Sequence, residues 1–367
     1  MDKKKILFIC NSLVTKGGVE CRTFEQMQYF TNCGYGVELC VLRDRGMGKV
    51  AEWFRANGLK VIHFPVYRSR MISIQPWAFL KFWFYILRHG FSHIICVQPI
   101  SSYFGRLACF PSFGRSLIAM ERGSLENRSR GKLFLDFIVS LWTSRIICVG
   151  PHIRETFIEK TRINPGKILV IPDASRILPS SGNGGEIGDR IGDGFVFGYV
   201  GRLSLDKRPH ILIHSFFRIA RGRSDLFLVF VGDGPERDSL DRLCRDLNIM
   251  DQVIFVGEQE FPHDYYPQFD VFIFPTIMEG NGSCAYEAMH HGVPVIVSSI
   301  PPFDRYIEDG VNGVLFQPDD VDDLSGKMKT LMEDSKRRNR IGWNGYETAV
   351  TQFDYQDLMA QFHGGIM

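Results

Sequence analysis

Residues 271–292 read VFIFPTIMEGNGSCAYEAMHHG. Val271–Pro275 is a short apolar run with a proline stop, the pattern of a buried strand. Glu287–Gly292 reads as helix up to a glycine stop. Between them, Glu279-Gly-Asn-Gly-Ser-Cys-Ala-Tyr-Glu287 sets two carboxylates at the two ends of a glycine-rich turn that opens the helix. A strand feeding a small-residue turn and a helix N-terminus makes a pocket of free backbone N–H groups, which suits phosphate. The carboxylates repel such an anion, so they must serve neutral hydroxyl groups beside it. A molecule that offers both phosphates and hydroxyls is a nucleotide sugar.

The same strand-and-helix alternation runs through the chain. Strand-like runs occur at Lys5–Cys10, Val37–Leu42, Lys60–Pro65, His93–Gln98, Ser116–Met120, Arg145–Val149 and Ile168–Ile171, with helical stretches such as Val19–Asn32 between them. Asp173–Gly194, rich in Gly, Ser, Asp and Pro and without a hydrophobic period, reads as a linker. A second set follows at Phe195–Val200, Phe227–Val231, Val253–Val256, Val271–Pro275 and Pro294–Ser298. Short β-branched runs separated by helix-length segments predict parallel sheets with right-handed crossovers. The expected fold class is therefore α/β: a first Rossmann-like lobe over residues 1–175 and a second over 195–350. Open sheets of this kind bind ligands at the carboxyl ends of their strands, so two facing lobes predict one interdomain cleft.

The 367 residues are enough for two domains, and the 45% hydrophobic and 23% charged content is that of a folded protein. The net charge of +2 conceals an asymmetry: residues 1–177 hold 26 basic and 12 acidic side chains, so the first half is strongly cationic and the second anionic. A basic first half points to an anionic partner. Nine cysteines without a CxxC pair read as reduced core residues. The run after the basic N-terminus is too short for a signal peptide, and no stretch approaches a membrane span. The expected location is the cytoplasm.

Phe195–Lys207 reads FVFGYVGRLSLDK. A hydrophobic strand ends at Gly201-Arg202, and a helix expected from Asp206 brings Lys207 into its first turn. Arg202 and Lys207 are then two cations at the mouth of the sheet that carries the glycine turn. A diphosphate there gains charge-assisted hydrogen bonds of roughly 1.5–3 kcal/mol each.

Four blocks in order now stand out: Gly198-Tyr-Val-Gly-Arg202 with Lys207, Val231-Gly-Asp-Gly-Pro-Glu236, Val253–Gly257, and Glu279 with Glu287. As a set they resemble the C-terminal half of a retaining GT-B glycosyltransferase of the family-4 type (glycosyl transferases group 1). Lys16-Gly17-Gly18-Val19-Glu20 resembles the N-domain glycine loop of the same family. The resemblance implies that Arg202 and Lys207 hold the donor pyrophosphate and that Glu287 accepts from the ribose hydroxyls. It further implies that Glu279 and the amides of Gly280, Asn281, Gly282 and Ser283 meet the donor sugar and its phosphates. Backbone near Val256 would contact the base, and Gly17 and Gly18 would let the first lobe approach the phosphate without an intervening side chain. The last helix, about residues 353–367, would cross back onto the first lobe. Many relatives place a histidine after the fifth strand, where it touches the donor sugar; this chain has Glu121-Arg122-Gly123-Ser124 there. Glu121 and Arg122 are the candidate substitutes, against a plain strand end at the surface.

Two further patterns are set aside. Asp320-Val-Asp322 spells a metal-binding DxD, yet it lies in an acidic turn ahead of a helix, where Asp serves as N-cap. Gly232-Asp-Gly234 lacks the third glycine of a dinucleotide fingerprint. Pro76–Phe91 (PWAFLKFWFYILRHGF) is dense in aromatics and carries Lys81 and Arg88, with Arg43, Arg45, Arg68 and Arg70 near in sequence. It reads equally as an interfacial helix or as a helix buried on the first sheet.

The reaction implied is retaining transfer of a hexosyl or N-acetylhexosaminyl group from a nucleotide-diphosphate sugar, UDP favoured over GDP, to a glycan or lipid-linked acceptor. No metal or other cofactor is expected, and no nucleic acid. An anionic membrane surface is a candidate partner. A nucleotide-sugar 2-epimerase of the same fold and an inactive scaffold in polysaccharide assembly stay open as alternatives.

Overall fold

The computed structural model describes residues 4–14, 17–68, 74–110, 114–123, 128–177, 185–259 and 262–367. Lys16, Arg70, Ser124 and residues 178–184 of the expected linker lie outside them. The chain divides into two compact units, Met1–Ala174 with Tyr355–Met367, and Ser175–Asp354.

The first unit is built on seven strands: β1 (Lys5–Cys10), β2 (Gly36–Arg43), β3 (Lys60–Tyr67), β4 (His93–Cys96), β5 (Ser116–Glu121), β6 (Arg145–Cys148) and β7 (Ile168–Val170). They pair in parallel in the order β3-β2-β1-β4-β5-β6-β7. Their apolar runs are continuous because helices cover the sheet. Phe82 and Ile86 of the helix Pro76–Arg88 and Phe104 of the helix Pro99–Ala108 pack with Leu7, Ile9 and Cys96 of the strands. Strand order reverses between β1 and β4, so the turns after these two strands diverge and leave a crevice. The terminal helix Tyr355–Ile366 belongs to this unit. It buries Leu358, Met359, Phe362 and Ile366, and Tyr35 Oη lies 3.0 Å from His363 Nε2.

The second unit has six parallel strands: β8 (Phe195–Val200), β9 (Leu226–Val231), β10 (Val253–Gly257), β11 (Val271–Phe274), β12 (Val295–Ser298) and β13 (Val314–Phe316). Their order is β10-β9-β8-β11-β12-β13, with the reversal between β8 and β11. β13 is absent from the sequence reading because its three residues, caught between Asn312-Gly313 and Gln317-Pro318, are too few to show a period.

The linker reading needs correction. Gly185–Ile191 is a helix with Ile187 and Ile191 buried, an i,i+4 pair too sparse to register as a pattern. Asp173 and Ser175 are buried as well, each held by a charged partner in its own unit.

Candidate functional site

The donor-site residues singled out in the second half sit at or just past the carboxyl ends of β8, β9, β10 and β11, four neighbours in one sheet. The turns after β8 and β9 lock together through backbone. Leu203 N donates to Asp233 O at 3.0 Å, and Glu236 N donates to Leu203 O at 3.0 Å. A Cβ on Gly232 would stand 2.1 Å from the Gly201 carbonyl oxygen, and one on Gly234 2.2 Å from that of Leu203. The Gly232-Asp-Gly234 pattern is thus explained by two turns in backbone contact.

Leu205–Lys207 forms a single 3-10 turn rather than the start of a helix; the helix begins at Pro209. That turn is clamped to the segment after β11. Ile277 N and the Thr276 hydroxyl both donate to Asp206 O, at 3.0 and 3.1 Å. Lys207 is brought onto Glu279, with Nζ 2.6 Å from Oε2, and it also donates to Met278 O at 3.2 Å. Burial alone lowers the pKa of this ammonium, but the Glu279 carboxylate outweighs it and the net shift is upward, so Lys207 stays cationic. Glu279 Oε1 accepts from Gly280 N at 3.2 Å.

Gly282 caps the helix Ser283–His290 in the left-handed region at φ 68°, and a Cβ there would lie 2.4 Å from the Phe303 ring. Asn281 is fixed by its side-chain amide to Tyr286 Oη at 2.9 Å. The amides of Ser283 and Cys284 open that helix, where the sequence predicts a phosphate nest and no acceptor lies one turn earlier within the helix, while Ala285 N donates to Gly282 O at 3.0 Å. Burial, reinforced by Glu279 and Glu287, pushes the Cys284 thiol well above its usual range, which disfavours the nucleophilic thiolate.

Glu287 is only 5% exposed. Its Oε1 accepts from Ser175 Oγ at 2.7 Å and its Oε2 from Tyr266 Oη at 2.9 Å. Neither partner was found from the sequence, since both lie far from Glu287 along the chain and in segments without a motif. Val256 sits at the end of β10 beside a register shift, its carbonyl accepting from Gln259 Nε2 at 3.2 Å. Arg202 follows β8 with an exposed side chain, and its carbonyl accepts from Tyr199 Oη at 2.9 Å.

In the first unit, Gly17 and Gly18 precede and open the helix Gly18–Asn32. Space beside Gly18 is open, whereas a Cβ on Gly17 would stand 2.9 Å from Glu20 Oε2. Glu20 accepts from Gln98 Nε2 at 3.0 Å, and Gln98 Oε1 accepts from Asn11 N, so the turns after β1 and β4 are joined at the reversal point. Burial raises the Glu20 pKa against the hydrogen bonds it receives.

Glu121 and Arg122 are both engaged by side chains of the first unit. Glu121 is buried and bonds Arg128 at 2.5 Å; Arg128 in turn bonds Asp136 at 2.8 Å. The carboxylate enclosed in that network is therefore not a strand end at the surface. Arg122 grips Asp173 with two hydrogen bonds, 2.7 and 2.9 Å, and donates to Val97 O as well. Its guanidinium is therefore a strut between β5 and the end of the unit. Asp320 caps the helix Val321–Glu333 by accepting from Asp323 N at 2.9 Å.

Comparison with known proteins agrees with this layout. Residues 16–174 match the Glycosyltransferase Family 4 model, and residues 187–348 match Glycosyl transferases group 1. The chain is 31% identical over 169 residues to the capsular polysaccharide biosynthesis glycosyltransferase CapM of Staphylococcus aureus, covering 45% of this chain and 44% of that one. It is 27% identical over 211 residues to the UDP-Gal:alpha-D-GlcNAc-diphosphoundecaprenol alpha-1,3-galactosyltransferase of Escherichia coli, covering 55% and 54%. The chain spans about half the length of the curated relatives it matches. Among solved structures, Anabaena Alr3699/HepE in complex with UDP superposes with a TM-score of 0.84 at 22% identity over 98% of both chains, which establishes a common fold. Two parallel Rossmann-like sheets, their glycine turns and two adjoining family matches make this chain a GT-B glycosyltransferase of the group 1, family-4 type.

Proposed function

We propose that the protein transfers a hexosyl or N-acetylhexosaminyl group from a UDP-sugar to a hydroxyl of a lipid-linked or growing surface glycan, with retention of configuration and without a metal. The observation that carries this reading is the clamp of Lys207 onto Glu279 across the β8/β11 reversal, beside the left-handed Gly282 turn. A cation whose position is fixed by a carboxylate and a carbonyl, next to helix-start amides, is preorganised for a diphosphate.

Lys207, Arg202 and the amides at Gly282–Ser283 stabilise the negative charge that develops on the leaving diphosphate. Glu279 both fixes Lys207 and accepts from a sugar hydroxyl. Glu287, oriented by Ser175 and Tyr266, accepts from the ribose hydroxyls. The anomeric carbon–oxygen bond breaks toward the diphosphate, and the acceptor hydroxyl attacks from the face that the leaving group vacates. Its proton passes to a departing phosphate oxygen. Support for a uridine donor comes from HepE, solved with UDP and with UDP-glucose. Support for a lipid-linked acceptor comes from the name of the Escherichia coli relative.

The test is UDP release from UDP-glucose, UDP-galactose and UDP-N-acetylglucosamine, with and without diphosphoundecaprenol-linked glycans, and with the product anomer read by NMR. Acceptor-dependent UDP release with a retained anomer is expected. Epimerised nucleotide sugar formed without acceptor, or an inverted product, would refute the reading.

A further inference from the structure

The helix Pro99–Ala108 packs between the helices Pro76–Arg88 and Arg130–Ser140 of the first unit. All three turn large apolar side chains to solvent. On Pro76–Arg88 the buried stripe is Ala78, Phe82 and Ile86. The opposite stripe, at helical spacing, is Trp77 (79% exposed), Leu80, Lys81, Phe84 (60% exposed) and Arg88. Leu107 and Phe110 are exposed at the end of the middle helix. Phe134 (65% exposed) and Leu141 (62%) continue the surface on and after the third helix, with Arg130 and Lys132 exposed beside them. The helix Pro76–Arg88 thus buries one face in the first unit and turns the other to solvent.

The charge on this face has one sign. From Ile74 to Arg145, no acidic side chain is exposed among the described residues. The acids described there, Glu121 and Asp136, are buried against Arg128 and Arg106. Lys81, Arg88, Arg130 and Lys132 make no ion pair among the described residues. Apolar surface of this extent on a folded protein marks an interaction site. Two copies of one cationic face repel, which disfavours self-association. Trp and Phe interleaved with Lys and Arg are what the boundary of an anionic bilayer accepts: rings at the acyl boundary, cations on the lipid phosphates. We infer that this three-helix face of the first unit docks on an anionic phospholipid bilayer as a peripheral contact. No helix among the described residues is long and apolar enough to cross a membrane. The inference rests on exposure and charge in the first unit, not on the sugar-transfer reading.

The experiment is co-sedimentation of the full chain with vesicles of equimolar phosphatidylglycerol and phosphatidylcholine, against pure phosphatidylcholine. Binding to the anionic vesicles alone, weakening as salt is raised, is expected. The exposed pair Lys81→Gln/Lys132→Gln should weaken it about 25-fold, at roughly fivefold per cation. Trp77→Ser/Phe84→Ser should release the protein from the vesicles, with melting temperature and circular dichroism as controls for folding. Failure of the wild-type chain to sediment with the anionic vesicles would overturn the inference, as would full binding by the lysine variant. So would a concentration-dependent dimer lost in these variants without any effect on vesicles, which would assign the face to a second copy.

Discussion

Lys207 meets two acceptors closely, Glu279 at 2.6 Å and Met278 O at 3.2 Å, and the Asp206 carboxylate more loosely at 3.5 Å. An ammonium has three donors, so the loosest of these is the one that a phosphate can take over. Lys207→Ala should lower kcat by about two to three orders of magnitude, the loss typical of one preorganised donor. The melting temperature should change little, because Glu279 is partly open to water; near wild-type turnover would remove Lys207 from the chemistry. Tyr266→Phe keeps the ring and deletes one of the two hydroxyls that orient Glu287. Loss of a hydrogen bond to a charged group, about 1.5–3 kcal/mol, predicts a rise of at least tenfold in donor KM with kcat preserved. An unchanged KM would separate Glu287 from the ribose. His291 stacks on Tyr266, ring centroids 5.6 Å apart, and burial, then the charge of His263, pulls its pKa from 6.5 to about 4. The unfolded chain takes up this proton below pH 6.5 while the folded chain resists it. The stability contributed by neutral His291 is therefore complete above 6.5 and is lost as pH falls toward 4. His291→Gln should flatten that part of the profile of melting temperature against pH; an undiminished slope would place the acid sensitivity elsewhere.

The strand–turn–helix of residues 271–292 could be read before any coordinates because each part obeys a local rule: an apolar run, glycines where the backbone must turn left, a glycine stop. Gly282 shows how strict the rule is, since its φ of 68° and the Phe303 ring 2.4 Å from any added Cβ exclude a side chain twice over. Gly282→Ala should cost on the order of 1–3 kcal/mol from the backbone alone and distort the nest, read as a lower melting temperature together with lost UDP binding. A variant that binds UDP normally would show that the nest does not need this turn. What the sequence concealed is non-local. Ser175 and Tyr266 reach Glu287 only in the folded unit, and Glu121 ends an apolar strand without any mark of the Arg128 and Asp136 that enclose it. The short helix Gly185–Ile191 and β13 are too brief for their periods to emerge from polar surroundings.

The chain's last thirteen residues return to the unit that begins it. Leu358, Met359, Phe362 and Ile366 are buried there, and Phe362 lies 5.9 Å from Phe30 between ring centroids. Each such side chain is worth about 1.5–3 kcal/mol of burial, a sum comparable to the net stability of a domain. A chain ending at Asp354 should therefore lose protease resistance in residues 4–174; resistance equal to that of the full chain would mean that the terminal helix is dispensable. The proposed function places the nucleotide diphosphate on the second unit. Isothermal titration of the full chain with UDP and with GDP, repeated on Lys207→Ala, tests that assignment most directly. One-to-one binding of UDP, weakened at least tenfold in the variant, is the expected result; no binding of either nucleotide, or binding that the variant leaves intact, would contradict it.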